Sequence, residues 1–311
     1  MEKDFKLAVC YFMPEKNYID HKLCIPIQLG PKETGLDLGI QKDDEGNNRS
    51  DKHSYYSEYS GIYWLWKNTT ADYKGMFHHR RFMTTENESV SGAVKNICKQ
   101  VIVFGFNVFR HMPSYYQRVV TCYKDREYFG KVNEFLDKLP DYLKSNDYDV
   151  LVPKRYIYYH TNVFEAFDEV VNRAIMKELT TIFEEDYKQY LHHFKRTLRG
   201  RKLYYSNIHV MRNEIFNEYC SLVFGVFDHL EDRLITGGYY IDLAKERSLS
   251  RVYGYIGELI MNTFLLALRD KGGKIKELAL LFNASASGNE NINWQSMRYN
   301  GSEEKEQTCK Q

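Results

Sequence analysis

The sequence predicts an α/β fold, a mixed sheet flanked by helices. Three observations carry that expectation. The chain opens on a short apolar run, Phe5 to Phe12 (F-K-L-A-V-C-Y-F), of the kind that forms a buried first strand. Strand-like and helix-like segments then alternate along the chain, which places helices on both faces of a sheet. Hydrophobic residues make up 43% and charged residues 27% of the 311 positions, enough apolar material for a large buried core.

The elements follow in order. Leu23 to Leu29 reads as a second strand, closed by Gly30-Pro31. Gln41 to Lys52 is polar, carries nothing to bury, and reads as loop. Tyr55 to Asn68 reads as one helix, because Tyr56, Tyr59, Ile62, Tyr63 and Trp66 recur at helical spacing, with Ser54 as its cap. Asp72 to Met83 is a strand running into a basic turn, and Val101 to Phe109 is a further strand candidate. Asp125 to Lys144 reads as helix, Tyr148 to Pro153 as strand, and Asn162 to Leu198 as charged helical sequence. Leu203 to Met211 reads as strand, and Asn213 to Leu234 and Arg251 to Arg269 as helices. Residues 283–311 are polar and aperiodic and read as a disordered tail.

Composition narrows the function classes. With 43 basic and 42 acidic residues the net charge is +1, which argues against nucleic acid as the partner of the whole surface. Six scattered cysteines without a C-x-x-C argue against a zinc site and a disulfide framework. No signal-peptide core and no run of about 20 apolar residues is visible, so the expected place is the cytoplasm, with peripheral contact at a membrane surface open.

In α/β sheets ligands sit beyond the carboxyl ends of the strands, so polar residues just after strands are the candidates. His78-His79-Arg80-Arg81 is a dense donor cluster bracketed by Phe77 and Phe82. Guanidinium forks match phosphate oxygens, and a basic loop of no function is the competing reading. The Asp43 to Asn48 loop, with Asp44, Asn47 and Asn48, offers carboxylate and amides for a metal or ribose hydroxyls, or is simply solvated. Arg251, Gly254, Tyr255 and Glu258 share one helix face, where Glu258 is either a general base or half of an ion pair. His192 to Lys202 is basic with interleaved aromatics, a solvated helix face or a contact for anionic lipid.

Taken together, these segments resemble the bacterial exopolysaccharide-biosynthesis glycosyltransferases long filed as a domain of unknown function. The pattern includes Gly46-Asn47-Asn48-Arg49-Ser50, Tyr63-Trp64-Leu65-Trp66-Lys67-Asn68 and Asp72-Tyr73-Lys74-Gly75 leading to His78-His79-Arg80-Arg81. Tyr148 to Lys154, Asn207 to Met211, Phe216 to Cys220 and Arg251 to Glu258 follow in the family's order. Asn47 and His79 stand where the family pattern has Asp and Tyr.

The resemblance implies a GT-A-like, Rossmann-type fold in one domain over residues 1–282, with an insertion near residues 84–142. It implies transfer of a sugar, a galactose-type hexose being the first candidate, from a nucleoside-diphosphate donor such as a UDP-sugar to a lipid-linked saccharide. Asp44, Asn47, Asn48, His78, His79, Arg80 and Arg81 would hold the donor, and Trp64, Trp66, Asn207 and Arg251 the sugar or acceptor. Glu258, with Glu58 as runner-up, would be the base. The usual metal-binding D-x-D is replaced by H-H-R-R, which leaves the metal site unknown and Mn²⁺ or Mg²⁺ dependence open. A capsular sugar-phosphate transferase and a non-catalytic subunit of a polysaccharide-synthesis locus are the alternatives.

Overall fold

Side-chain alternation along the first strand, β1 (Phe5–Tyr11), sets the architecture. Phe5, Leu7, Val9 and Tyr11 enter one core and Ala8 and Cys10 another, all buried, so both faces of the sheet are covered. The computed structural model describes residues 3–86, 115–117, 119–168, 171–236 and 251–285, with Val94, Cys98 and Val101 besides.

Four parallel strands form one end of a nine-stranded sheet: β3 (Gln41–Lys42), β2 (Cys24–Gln28), β1 and β4 (Tyr73–His78), in that spatial order. A two-residue turn joins β4 to β5 (Arg81–Thr84). A short pair, β6 (Tyr115–Tyr116) and β7 (Val119–Cys122), precedes a long helix, and β8 (Val150–Pro153) and β9 (Tyr156–Tyr158) come after it. Beside β4 lies β11 (His209–Arg212), antiparallel to β4 and to β8. The last strand, β12 (Ile275–Asn283), runs parallel to β8 over its first half and antiparallel to β5 over its second. Because β5 returns to β4, the pairings close a circuit through β4, β11, β8, β12 and β5. β6, β9 and β10 (Lys202–Leu203) form a separate small sheet.

One face carries α2 (His53–Tyr56), α3 (Tyr59–Asn68), α8 (Asn213–Thr236) and α9 (Val252–Asp270), preceded in the chain by α1 (Pro31–Thr34). α5 (Val163–Asp168), α6 (Arg173–Glu185) and α7 (Lys188–Arg199) join the same core. The opposite face is covered by α4 (Asp125–Asn146), whose Tyr128, Val132, Phe135, Leu139 and Leu143 repeat at three and four residues. α9 packs close to α3 because Gly257 leaves room for the Tyr59 ring.

Several expected elements are corrected. The helix from Tyr55 to Asn68 is broken at Ser57-Glu58, where Ser57 takes φ 57°, and Ser54 lies inside α2 rather than capping it. The single strand from Leu203 to Met211 is two short strands, separated by a turn in which Ser206 (φ 73°) and Asn207 (φ 53°) are left-handed. Arg251 sits just outside its helix at φ 67°. Val101 is helical, and the rest of that strand candidate lies outside the described residues, as does nearly all of the expected tail; residues 119–142 of the expected insertion are β7 and most of α4. The loop thought to bury nothing buries Asp43 completely. Sequence reading passed over β12, although L-A-L-L-F is a buried-strand pattern, because its polar first half hid it.

Replacing Gly257 by Ala should drive a methyl group into the Tyr59 ring and cost about 1–3 kcal/mol of stability, read as a lowered urea midpoint at unchanged slope.

Candidate active site

β4 ends at His78, and across the tight turn His78 stands directly opposite Arg81, so both side chains project from the same face. That face looks toward the break between α2 and α3. The break presents Glu58, buried at the foot of α3, with Oε1 3.9 Å from His78 Nε2. Asn207, from the turn before β11, donates to Glu58 Oε1 at 2.7 Å and to the Gly254 carbonyl at 3.2 Å. Arg251 completes the pocket, its Nε donating to Ser57 Oγ at 3.2 Å. His78 Nε2 is 2.8 Å from the Ser206 carbonyl, to which it donates its hydrogen. Ser206 in turn donates its backbone N–H to Glu258 Oε1 at 2.8 Å.

Four of the five left-handed non-glycine residues of the described chain, Ser57, Ser206, Asn207 and Arg251, lie in this one constellation. Backbone in that region costs of order 1–3 kcal/mol per residue and persists only where surrounding structure enforces it. Behind Asn207, the Tyr59 hydroxyl donates to Asn207 Oδ1 at 2.8 Å and lies 2.7 Å from the Tyr219 hydroxyl. Both tyrosines are fully buried, so the turn is held from beneath as well.

The charges are unequal. Burial opposes ionisation of Glu58, yet the neighbouring His78 and Arg251 and hydrogen bonds from Asn207 and Ser57 hold its carboxyl down at about 2. For His78, burial and the adjacent Arg81 and Arg251 outweigh Glu58 and keep the ring neutral more readily than usual. Arg81 is likewise pressed toward losing charge by burial and by Arg80 and Arg251. The Glu58 carboxylate therefore lies beside the charges of Arg81 and Arg251, with the His78 ring held toward its neutral form.

The H-H-R-R cluster does not act as one patch. His79 and Arg80 belong to the opposite side of the hairpin, in a cleft with Glu15, Lys16, Asp125 and Asn283. His79 stacks on Tyr11, with Nε2 3.1 Å from Glu15 Oε1. The pooled site expected for His78, His79, Arg80 and Arg81 is thus divided, because His78 and Arg81 are a cross-strand pair on one face while His79 and Arg80 form the two-residue turn and line the other cleft.

The Asp44 to Asn48 loop follows β3, at the carboxyl end of the parallel strands. Its groups are engaged with one another and with α3. Asn48 Nδ2 donates to the Asp44 and Gly46 carbonyls. The Asn68 side chain accepts from the Asn47 N–H at 3.0 Å and donates to the Asn47 carbonyl at 2.7 Å. Gly46, at φ 62°, is required because any Cβ would strike Asn68. Arg49 pairs with both carboxylate oxygens of Asp228 at 2.6 and 2.8 Å and lies over the Tyr63 ring. Trp64 is buried in the core, and Trp66 stacks on Phe224 beneath the Lys67 ammonium. Sequence reasoning missed Ser57, Ser206, Tyr59 and Tyr219, which shape the pocket, and Asp43, which accepts from the Gly30 N–H and the Ser50 hydroxyl. Only Ser57 carried a signal, as a polar residue interrupting an aromatic helix.

Among the described residues no three His, Cys, Asp or Glu side chains group as a metal site. At the end of β4 the guanidinium groups of Arg81 and Arg251 lie beside His78 and Glu58, and their positive charge opposes a divalent cation there.

The fold and site define an α/β protein with cationic side chains gathered around a buried carboxylate at the carboxyl end of β4. The chain belongs to the family described as Domain of unknown function (DUF4422), whose model matches residues 6–269. It shares the fold of a solved structure of WbbM, a bifunctional glycosyltransferase in its apo form, at TM-score 0.72 and 24% identity. That likeness covers 90% of this chain and 45% of the WbbM chain, so this protein spans less than half of its length. No curated protein matches the sequence. No helix among the described residues is long and apolar enough to cross a membrane.

The histidines also set a pH dependence. Burial, reinforced at His79 by His78 and Arg80, holds His79 and His209 at about 4, against about 6.5 in an unfolded chain. The unfolded state therefore binds more protons between those values, and stability should fall as pH drops from about 6.5 to about 4. Urea unfolding at pH 7, 5.5 and 4.5 checks this, and His209→Gln should flatten the slope.

Proposed function

We propose that this protein is a glycosyltransferase that moves a hexose from a nucleoside-diphosphate donor to a saccharide acceptor in surface-polysaccharide assembly. The observation that carries the reading is the strand-end pocket of His78, Arg81 and Arg251 around the buried Glu58, within a fold shared with a glycosyltransferase. Departure of a nucleoside diphosphate develops negative charge, and preorganised cations aimed at that charge lower the barrier. Arg81 and Arg251 supply fixed positive charge, and the His78 ring, held by its hydrogen bond to the Ser206 carbonyl, forms the wall beside them. These groups take the part a divalent cation plays where an acidic metal site exists.

The Asp44–Asn48 loop lies along the same edge, placed for the ribose or base of the donor. Asn207 and Arg251 border the place of the transferred sugar. Glu58 is held ionised by its neighbours and orients them, and Glu258 fixes the Ser206 backbone. A lipid-linked acceptor would bring the protein to the inner face of a membrane.

The test is thermal stabilisation by UDP-, GDP-, CMP- and dTDP-sugars, with and without Mn²⁺. At least one donor should stabilise the protein without metal. Arg81→Ala should weaken that donor's binding by at least about tenfold, the size of one lost charge-assisted contact. No stabilisation by any donor would overturn the reading.

A further inference from the structure

The two carboxylates singled out from sequence as candidate bases are poorly placed to meet an acceptor. The Glu58 side chain is 7% exposed and bound by Asn207, and Glu258 is 4% exposed and engaged with the Ser206 backbone. On the other side of the β4–β5 turn, the cleft between the β1–β2 connection and the start of α4 presents two more carboxylates, Glu15 and Asp125. Their environments differ. Asp125 accepts from Asn283 Nδ2 at 3.0 Å and from the Ser285 hydroxyl, and those bonds hold it below the usual carboxylate range. Glu15 is 27% exposed at the side chain, lies 3.1 Å from His79 Nε2, and is raised by partial burial against the opposing pull of Arg80. The His79 ring is fixed by a hydrogen bond to the Cys10 backbone and by stacking on Tyr11. Phe129 lines the cleft, and Phe12, 50% exposed, lies 6.3 Å from the His79 ring, aromatic surface of the kind that receives a sugar ring.

We infer that this cleft is the acceptor subsite and that Glu15, oriented by His79, takes the proton from the attacking carbohydrate hydroxyl. The inference rests on the glycosyltransferase reading. In the step, the acceptor oxygen forms a bond to the anomeric carbon of the donor sugar and its proton passes to the Glu15 carboxylate. The bond from that carbon to the diphosphate breaks, and the nucleoside diphosphate leaves with the electron pair. The hairpin tip is the shared wall, with His78 and Arg81 toward the leaving group and His79 and Arg80 toward the acceptor. Two carboxylates with pKa values pushed apart divide the roles, the raised one being the proton acceptor and the depressed one a fixed charge. The charged groups facing Glu15 are His79 and Arg80 from the turn, Lys16 beside it, and Asp125 from α4.

The experiment measures release of nucleotide from the same sugar-nucleotide panel, with free galactose or glucose as acceptor and with water alone. Donor thermal shift is recorded in parallel. Glu15→Gln should lower turnover by about 100-fold or more while leaving donor stabilisation intact. In the wild type, kcat/KM should fall on the acid side with a pKa above the usual carboxylate range, and His79→Asn should displace that limb. Wild-type turnover with Glu15→Gln equally active, or with an unchanged acid limb, overturns the assignment of Glu15 and leaves the transferase reading standing. A wild type that turns over none of the panel overturns both.

Discussion

The structure turns on the burial of one charge. Glu58 lies inside the protein as a carboxylate, and a buried ion costs several kcal/mol unless neighbours replace the water it has lost. Its replacements come from segments far apart in the chain: Asn207 from the turn before β11, Arg251 from the start of α9 and His78 from the end of β4. Each contact fixes a piece of backbone that would not adopt its conformation alone. Ser57, Asn207 and Arg251 are all left-handed without being glycine, and the same carboxylate is the reason they converge. The pairing of β4 with β11 brings the segments of His78 and Asn207 together.

A second constraint comes from the β4–β5 hairpin. His78 and Arg81 pair across the two strands while His79 and Arg80 form the turn between them, so the four basic residues do not share one face. The consequence is a division of the H-H-R-R cluster into a pocket around Glu58 and a cleft around Glu15.

The most recognisable sequence block has, in large part, a mechanical role. Asn68, at the end of the aromatic helix, clasps both backbone groups of Asn47, and Gly46 is glycine to admit that clasp. Arg49 ties the same loop to α8 through Asp228. The pairing of G-N-N with Y-W-L-W-K-N is therefore a tertiary contact recorded in sequence. The clasp uses the backbone of Asn47, so it does not depend on the side chain at that position.

The sequence alone determined the α/β class, most strands and helices, and the segments from which the site is made. Local periodicity and strand-end polarity report those directly, because they depend on which face of an element is buried. It named Glu58, His78, Arg81, Asn207, Arg251 and Glu258, which the fold brings together, from positions up to 200 residues apart. Only the tertiary structure decided that the helix breaks at Ser57, that Arg80 and His79 face away from Arg81 and His78, and that Glu15 has the more open carboxylate. Those outcomes rest on left-handed backbone enforced by distant contacts and on the burial each carboxylate meets. Neither is a property of neighbouring residues, so no local pattern could have announced them.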